Sequence, residues 1–249
     1  MVAPAWLTTT PIAHRGLHDE AANIIENTDG AFQAAISCGY AIECDVRLAA
    51  DGVVVFHDEH LDRLTRATGP VAQHSLAELT KIRYSGCDET ILSFDEFLQR
   101  IGGRVGLVIE IKADPWVHTV GLEEQIAKSL ARYDGPVAVM SFSPRIMAHM
   151  RSLTPHLPRG LISARFDRAD DRHGLSTLQR FQRRHLLDVP SVRPNFIAYD
   201  VNALPACAPM VLRQFGLPLL TWTVKTVQNR QNAHKYADQM IFEGFRPEV

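Results

Sequence analysis

Val105-Gly106-Leu107-Val108-Ile109-Glu110-Ile111-Lys112 is a short apolar run that ends in charge. A run of this length, rich in β-branched residues, reads as a buried strand. Neighbours along a strand alternate sides, so Glu110 and Lys112 share one face while Ile109 and Ile111 take the other. The flanking segments, 93–101 and 122–133, have the spacing of amphipathic helices. This strand therefore sits in a β/α alternation, and the alternation decides the fold.

The pattern continues in both directions. Downstream, strands are expected at 137–141, 160–162, 196–200, 217–222 and 238–242, with helices at 143–153, 176–187, 206–215 and 226–236 between them. Upstream, strands are expected at 11–13 and 40–46, separated by a helix over 27–37 that Asn27 or Thr28 caps. Buried strands alternating with helices imply a parallel sheet. Eight such units make a TIM (β/α)8 barrel, an α/β fold whose chemistry gathers at the C-terminal strand ends. Asp51-Gly52 signals a hairpin into 53–57. Residues 58–92 are irregular apart from a short helix at 75–82, and are too long for an ordinary βα loop. The expectation is one barrel domain over 1–249, with a small insertion after the second strand at about 58–92.

Four strand ends carry unusual side chains. Ile12-Ala13-His14-Arg15-Gly16 delivers an imidazole and a guanidinium. Ile42-Glu43-Cys44-Asp45-Val46 puts two carboxylates on one face. Val53-Val54-Val55-Phe56-His57-Asp58 delivers a second histidine, and Glu110 a third carboxylate. Buried carboxylates are costly without compensation. Glu43, Asp45 and Glu110 are hard oxygen donors, suited to Mg²⁺ or Ca²⁺. The plainer alternative is an ion-pair cluster with Arg15, Arg47 and Lys112. Arg15 and Lys112 supply positive charge for a phosphate, although Lys112 could simply serve Glu110. His14 and His57 can give and take protons near neutral pH; sequence does not say which is acid and which base. The other nine histidines, His60 among them, read as surface residues.

These pieces, His14-Arg15-Gly16, Glu26-Asn27-Thr28, Glu43-x-Asp45-Val46, His57-Asp58 and Glu110-x-Lys112, resemble the glycerophosphodiester phosphodiesterase family in order and spacing. Ser141-Phe142 and Thr221-Trp222-Thr223-Val224 extend the resemblance, which spans roughly residues 11–247. It implies metal-dependent hydrolysis of glycerophosphodiesters to sn-glycerol 3-phosphate and an alcohol, a part of glycerol and lipid metabolism. Asn27 is then either an orienting group or only a helix cap. Phe142 and Trp222 become an apolar wall for the glycerol carbons. Two departures stand out: Lys225 where the family often has a neutral amide, and Phe242-Glu243-Gly244 where it often has Thr-Asp before the Arg-Pro pair. The rival readings are a phospholipase-D-like or lysophospholipid-cleaving barrel, and a non-catalytic binding barrel, against which both histidines argue.

Bulk properties narrow the partners. A net charge of −2 carries no basic nucleic-acid footprint. The four cysteines form no CxxC pair, which argues against zinc and against a disulfide framework. Reduced thiols and a start without the features of a signal peptide suggest the cytoplasm. No run approaches the ~20 apolar residues of a membrane span, so stable membrane insertion is not expected. By the resemblance the family usually has a further helix after the last strand, so contact with a second copy, a homo-oligomer, is one way to cover that side.

Overall fold

The computed structural model describes residues 3–112, 121–167 and 174–248. The strands are β1 (Ile12–Ala13), β2 (Ala41–Leu48), β3 (Val53–Val55), β4 (Leu92–Ser93), β5 (Leu107–Ile111), β6 (Val137–Ser141), β7 (Arg159–Ser163), β8 (Phe196–Asp200), β9 (Leu219–Val224) and β10 (Gln239–Phe242). The fold is the TIM barrel, eight parallel strands with helices between them. β3 and β4 are the antiparallel additions. All eight expected parallel strands are present. Two compact units are distinguished, Ala13–Val137 and Met1–Ile12 with Ala138–Val249.

In the unit Ala13–Val137, β2 pairs in parallel with β5, with Glu43 opposite Val108 and Asp45 opposite Glu110. The whole of β5 is buried. Past Val46, β2 keeps going and pairs antiparallel with β3, from Val46↔Val55 to Leu48↔Val53. The reading that Glu43 and Asp45 stand at a strand end therefore needs correction. They lie inside β2, because the Asp51-Gly52 hairpin prolongs the strand after its parallel pairing has stopped. Gly52 is needed there: a Cβ would fall 2.2 Å from Leu76. The neighbouring Asp51 carboxylate accepts from the Leu76 N–H at 2.6 Å.

Helix Asp29–Ser37 starts at Thr28, whose hydroxyl accepts from the Ala31 N–H, so Thr28 is the cap and Asn27 is not. Its Phe32 meets Phe97 of helix Phe94–Ile101 edge-on at 4.7 Å. Residues 58–91 are irregular but anchored. Leu61, Val71, Leu79, Tyr84 and Ile91 join Val54 and Phe56 in one apolar cluster. The expected helix there is shorter, Leu76–Leu79, with Ser75 and Glu78 forming a capping box.

In the other unit, β7, β8, β9 and β10 pair in parallel in sequence order. Leu161, Ile197, Tyr199 and Leu219 form its core with Leu186 and Leu204. Asp238 fastens this unit by accepting from Arg213 at 2.9 Å and from the Leu219 N–H at 2.8 Å. The helix expected over 176–187 stops at Arg184, and a separate short helix, Val189–Val192, follows. Among the described residues, no helix is long and apolar enough to cross a membrane.

Candidate active site

The segment after β1 makes a sharp turn. Arg15 (φ 56°), Gly16 (φ 78°) and Asn27 (φ 58°) all occupy the left-handed region. Only glycine visits it without cost, and at Gly16 a Cβ would also lie 2.8 Å from Ala31. The two non-glycine residues are held by hydrogen bonds: the Asn27 N–H donates to the Arg15 carbonyl at 2.9 Å, and the Arg15 N–H to Glu43 Oε2 at 3.0 Å. The Asn27 amide donates to Asp45 Oδ2 at 2.9 Å and accepts from the Asp45 N–H at 3.3 Å. Asn27 thus orients a buried carboxylate.

Glu43, Asp45 and Glu110 are buried, and one oxygen from each falls within 4.8 Å of the others. Two cations face them. Lys112 Nζ lies 2.7 Å from Glu110 Oε1 and 2.9 Å from Asp45 Oδ1. Arg15 Nε lies 3.2 Å from Asp45 Oδ2, and its Nη1 lies 2.7 Å from Glu26 Oε1. Arg47, which the ion-pair alternative includes, donates from Nε to the His57 carbonyl at 2.6 Å.

The electrostatics separate the two β2 carboxyls. Burial pushes Glu43 well above the usual carboxylate range, and the charges of Asp45 and Glu110 add to the push. Burial alone would raise Asp45 too, but Lys112 and Arg15 outweigh it and hold Asp45 well below that range. Glu43 Oε1 is buried without a hydrogen-bond partner. A buried acceptor left unmatched beside two further carboxylates fits a hard divalent cation.

His14 Nε2 stands 3.9 Å from Glu43 Oε2. His57 follows β3, an antiparallel strand, so it reaches the cluster by doubling back: the Phe56 N–H donates to the Asp45 carbonyl at 3.0 Å. Both histidines lie close enough to Asp45 to lower its pKa. His57 Nδ1 is 2.6 Å from Asp58 Oδ1. With Nδ1–H given to that carboxylate, Nε2 is left for proton transfer. His60 is exposed and pairs only loosely with Asp62, at 3.8 Å.

In the other unit, the Phe142 and Trp222 rings meet at 5.4 Å and 89°, with Phe166 edge-on to Phe142 at 6.3 Å. Both Phe142 and Trp222 are partly exposed, forming an open aromatic face. The two departures, Lys225 and Glu243, are partners in one ion pair.

Three of these features were not expected from sequence. Asp58 pairs with His57, Glu26 pairs with Arg15, and Arg63 contacts both carboxylates. Glu26 and Asp58 stand in recognisable motifs, but nothing in the irregular segment around Arg63 marks it.

The family model for the glycerophosphoryl diester phosphodiesterase family matches residues 14–245. The chain belongs to that family. It is an enzyme, a phosphoric diester hydrolase. A family member from Caldanaerobacter subterraneus subsp. tengcongensis, a glycerophosphodiester phosphodiesterase, is 35% identical over 92% of this chain and 91% of its own. The fold matches that of an Oleispira antarctica phosphodiesterase solved in complex with the product sn-glycerol-3-phosphate. The TM-score is 0.75 at 23% identity, covering 95% of this chain and 94% of the other. A Thermotoga maritima glycerophosphodiester phosphodiesterase also matches, with TM-score 0.68 at 21% identity over 94% of each chain.

Proposed function

We propose that the protein hydrolyses glycerophosphodiesters to sn-glycerol 3-phosphate and an alcohol. In this reading one divalent cation, Mg²⁺ or Ca²⁺, is held by Glu43, Asp45 and Glu110. The observation that carries it is the unmatched Glu43 oxygen inside a buried three-carboxylate cluster, beside Arg15 and Lys112. Such a cation would draw a nonbridging phosphate oxygen and screen the charge that develops there.

The remaining roles belong to the chain. Arg15 and Lys112 grip the phosphate, and Phe142 and Trp222 pack on the glycerol carbons. His14 and His57 act as general base and general acid. No Ser, Cys or Thr adjoins either histidine as a candidate nucleophile, so the attacking group comes from the substrate. The glycerol 2-hydroxyl lies beside the phosphate, and an intramolecular attack gains an effective concentration of ~10⁵ M or more. One histidine takes the hydroxyl proton as its oxygen bonds to phosphorus. The other protonates the departing alkoxide as the P–O bond to the alcohol breaks. Water then opens the cyclic phosphate. Residues 1–249 act as one catalytic barrel domain with an insertion at about 58–92. We place the enzyme in the cytoplasm, in keeping with its free cysteines, acting on a small soluble diester in glycerol and lipid metabolism, as a monomer or a homo-oligomer.

The test measures glycerol 3-phosphate released from glycerophosphocholine, glycerophosphoethanolamine and a lysophospholipid, with and without EDTA. Full activity in stripped protein would remove the cation from the reading. Turnover of the lysophospholipid alone would move the substrate class to lipids. A 2-deoxy analogue that binds and is cleaved as fast as its parent would replace the cyclic route with direct attack by water.

A further inference from the structure

Arg63 lies in the irregular segment after β3, and the reaction proposed above leaves it unused. It is about half exposed, and its two partners are more sheltered. Its guanidinium forks onto both. Nε lies 2.5 Å from Asp58 Oδ2, and Nη2 lies 3.0 Å from Asp58 Oδ1. The same Nη2 lies 2.7 Å from Glu26 Oε1, and Nη1 lies 3.3 Å from Glu26 Oε2. Each carboxylate has a second duty: Asp58 holds His57 Nδ1, and Glu26 Oε1 holds Arg15 Nη1. One side chain therefore closes a chain of contacts, His57–Asp58–Arg63–Glu26–Arg15.

The backbone that presents Arg63 is fixed. The buried Leu61 carbonyl accepts from both the N–H and the hydroxyl of Thr65, at 3.1 and 2.9 Å. Leu61 N–H donates to the Gly69 carbonyl, and Gly69 N–H to the Asp62 carboxylate. This tight turn stands on the apolar cluster through Leu61. An ordinary surface pair looks different: Arg83 and Asp88 are both highly exposed, at 67% and 94%, and such a pair is worth little. Planar, two-pronged contact with two carboxylates at once is something arginine does and lysine cannot.

We propose that Arg63 is a positioning residue that sets the acid–base histidine and the phosphate-gripping arginine in register through Asp58 and Glu26. It touches no reacting atom. Its role rests on His57 acting as proposed above. Without Arg63, Asp58 can turn away and the His57 ring loses its fixed direction, while Glu26 holds Arg15 from one side only.

The test uses the full chain and four proteins: wild type, Arg63→Ala, Arg63→Lys and His57→Ala. Arg63→Ala should lose roughly 10–100-fold in kcat, the range for groups that orient a catalytic residue. Arg63→Lys should fall between, being able to satisfy one carboxylate. Because Arg63 is accessible, guanidinium ion at non-denaturing concentration should restore part of the Arg63→Ala rate, and ammonium should not. A merely structural role would not respond to that difference. In a His57→Ala background, removing Arg63 should cost less in kcat than it does in the wild type, because only the part that runs through Glu26 and Arg15 remains. If His57→Ala is crippled but Arg63→Ala turns over like wild type, the inference is wrong and the acid–base reading stands. It is equally wrong if guanidinium restores nothing, or if Arg63→Ala costs its full factor in the His57→Ala background. If His57→Ala itself keeps the wild-type rate, the acid–base reading fails first, and the inference with it.

Discussion

The unit Ala13–Val137 and the unit completed by Ala138–Val249 use the same β/α alternation to different ends. The first breaks the pattern repeatedly: β2 overruns its parallel partner, β3 doubles back, and Arg15 and Asn27 take left-handed backbone. It also holds every charged candidate side chain. The second pairs four strands in sequence order and has left-handed residues of its own, Phe166, Leu186 and Arg193, but its candidates are aromatic. The contrast teaches what converging charges ask of the backbone: at Arg15, Asn27 and Asp45 main-chain and side-chain hydrogen bonds serve buried carboxylates as well as the chain. An apolar wall needs only rings such as Phe142, just past β6, and Trp222, within β9.

The comparison breaks hardest if charge in the first unit proves dispensable. Glu43→Gln, Asp45→Asn and Glu110→Gln should each remove most activity, by about 10³-fold or more if the cation is lost, with the far-UV circular dichroism unchanged. The histidines come next. His14→Ala and His57→Ala should each cost ~10²–10⁴-fold in kcat, while His60→Ala costs little. Equal damage from His60→Ala and His57→Ala would mean the wrong histidine has been chosen. The second unit should answer differently. Phe142→Ala or Trp222→Ala should raise KM by roughly 3–30-fold and change kcat by less than about threefold, as lost uniform binding does. A loss confined to kcat would give these rings a part in the chemistry.

The smallest effect concerns stability. Burial alone would raise Asp58, but hydrogen bonds from His57 and Arg63 and the Arg63 charge hold it well below the usual range. A carboxylate lowered in the folded state contributes stability fully above its unfolded pKa, ~3.9. That contribution disappears as pH falls through the folded value. Asp58→Asn should therefore lower the melting temperature clearly at pH 7 and progressively less below about pH 4. A constant difference across that range would mean that the ionised carboxylate adds nothing.

What the sequence disclosed and what it hid follow the same division. Strand runs such as 137–141 and 196–200 coincide with the observed strands because apolar runs between helix caps are local signals. Helix starts were misjudged by a residue where Ser93, Ser176 and Thr226 stand outside as caps. The carboxylates of β2 could be grouped on one face from period two alone. Arg63 could not be found, since its partners Glu26 and Asp58 are joined to it only by the folded turn. Nor could Lys225 and Glu243 be recognised as a compensating pair. Each alone looked like a departure from the family pattern, and only the structure sets one against the other.

The overrun of β2 has a consequence for the order of assembly. Its pairing with β3 joins neighbours along the chain, whereas its pairing with β5 waits for the whole intervening segment to fold back. Short closures are fast, with hairpins forming in ~1–10 μs, and long ones pay their entropy first. Asp45 and the strand leading to His57 therefore belong to the most local structure in the unit. The nascent chain can bring these two together while Glu110, the third carboxylate, is still to arrive.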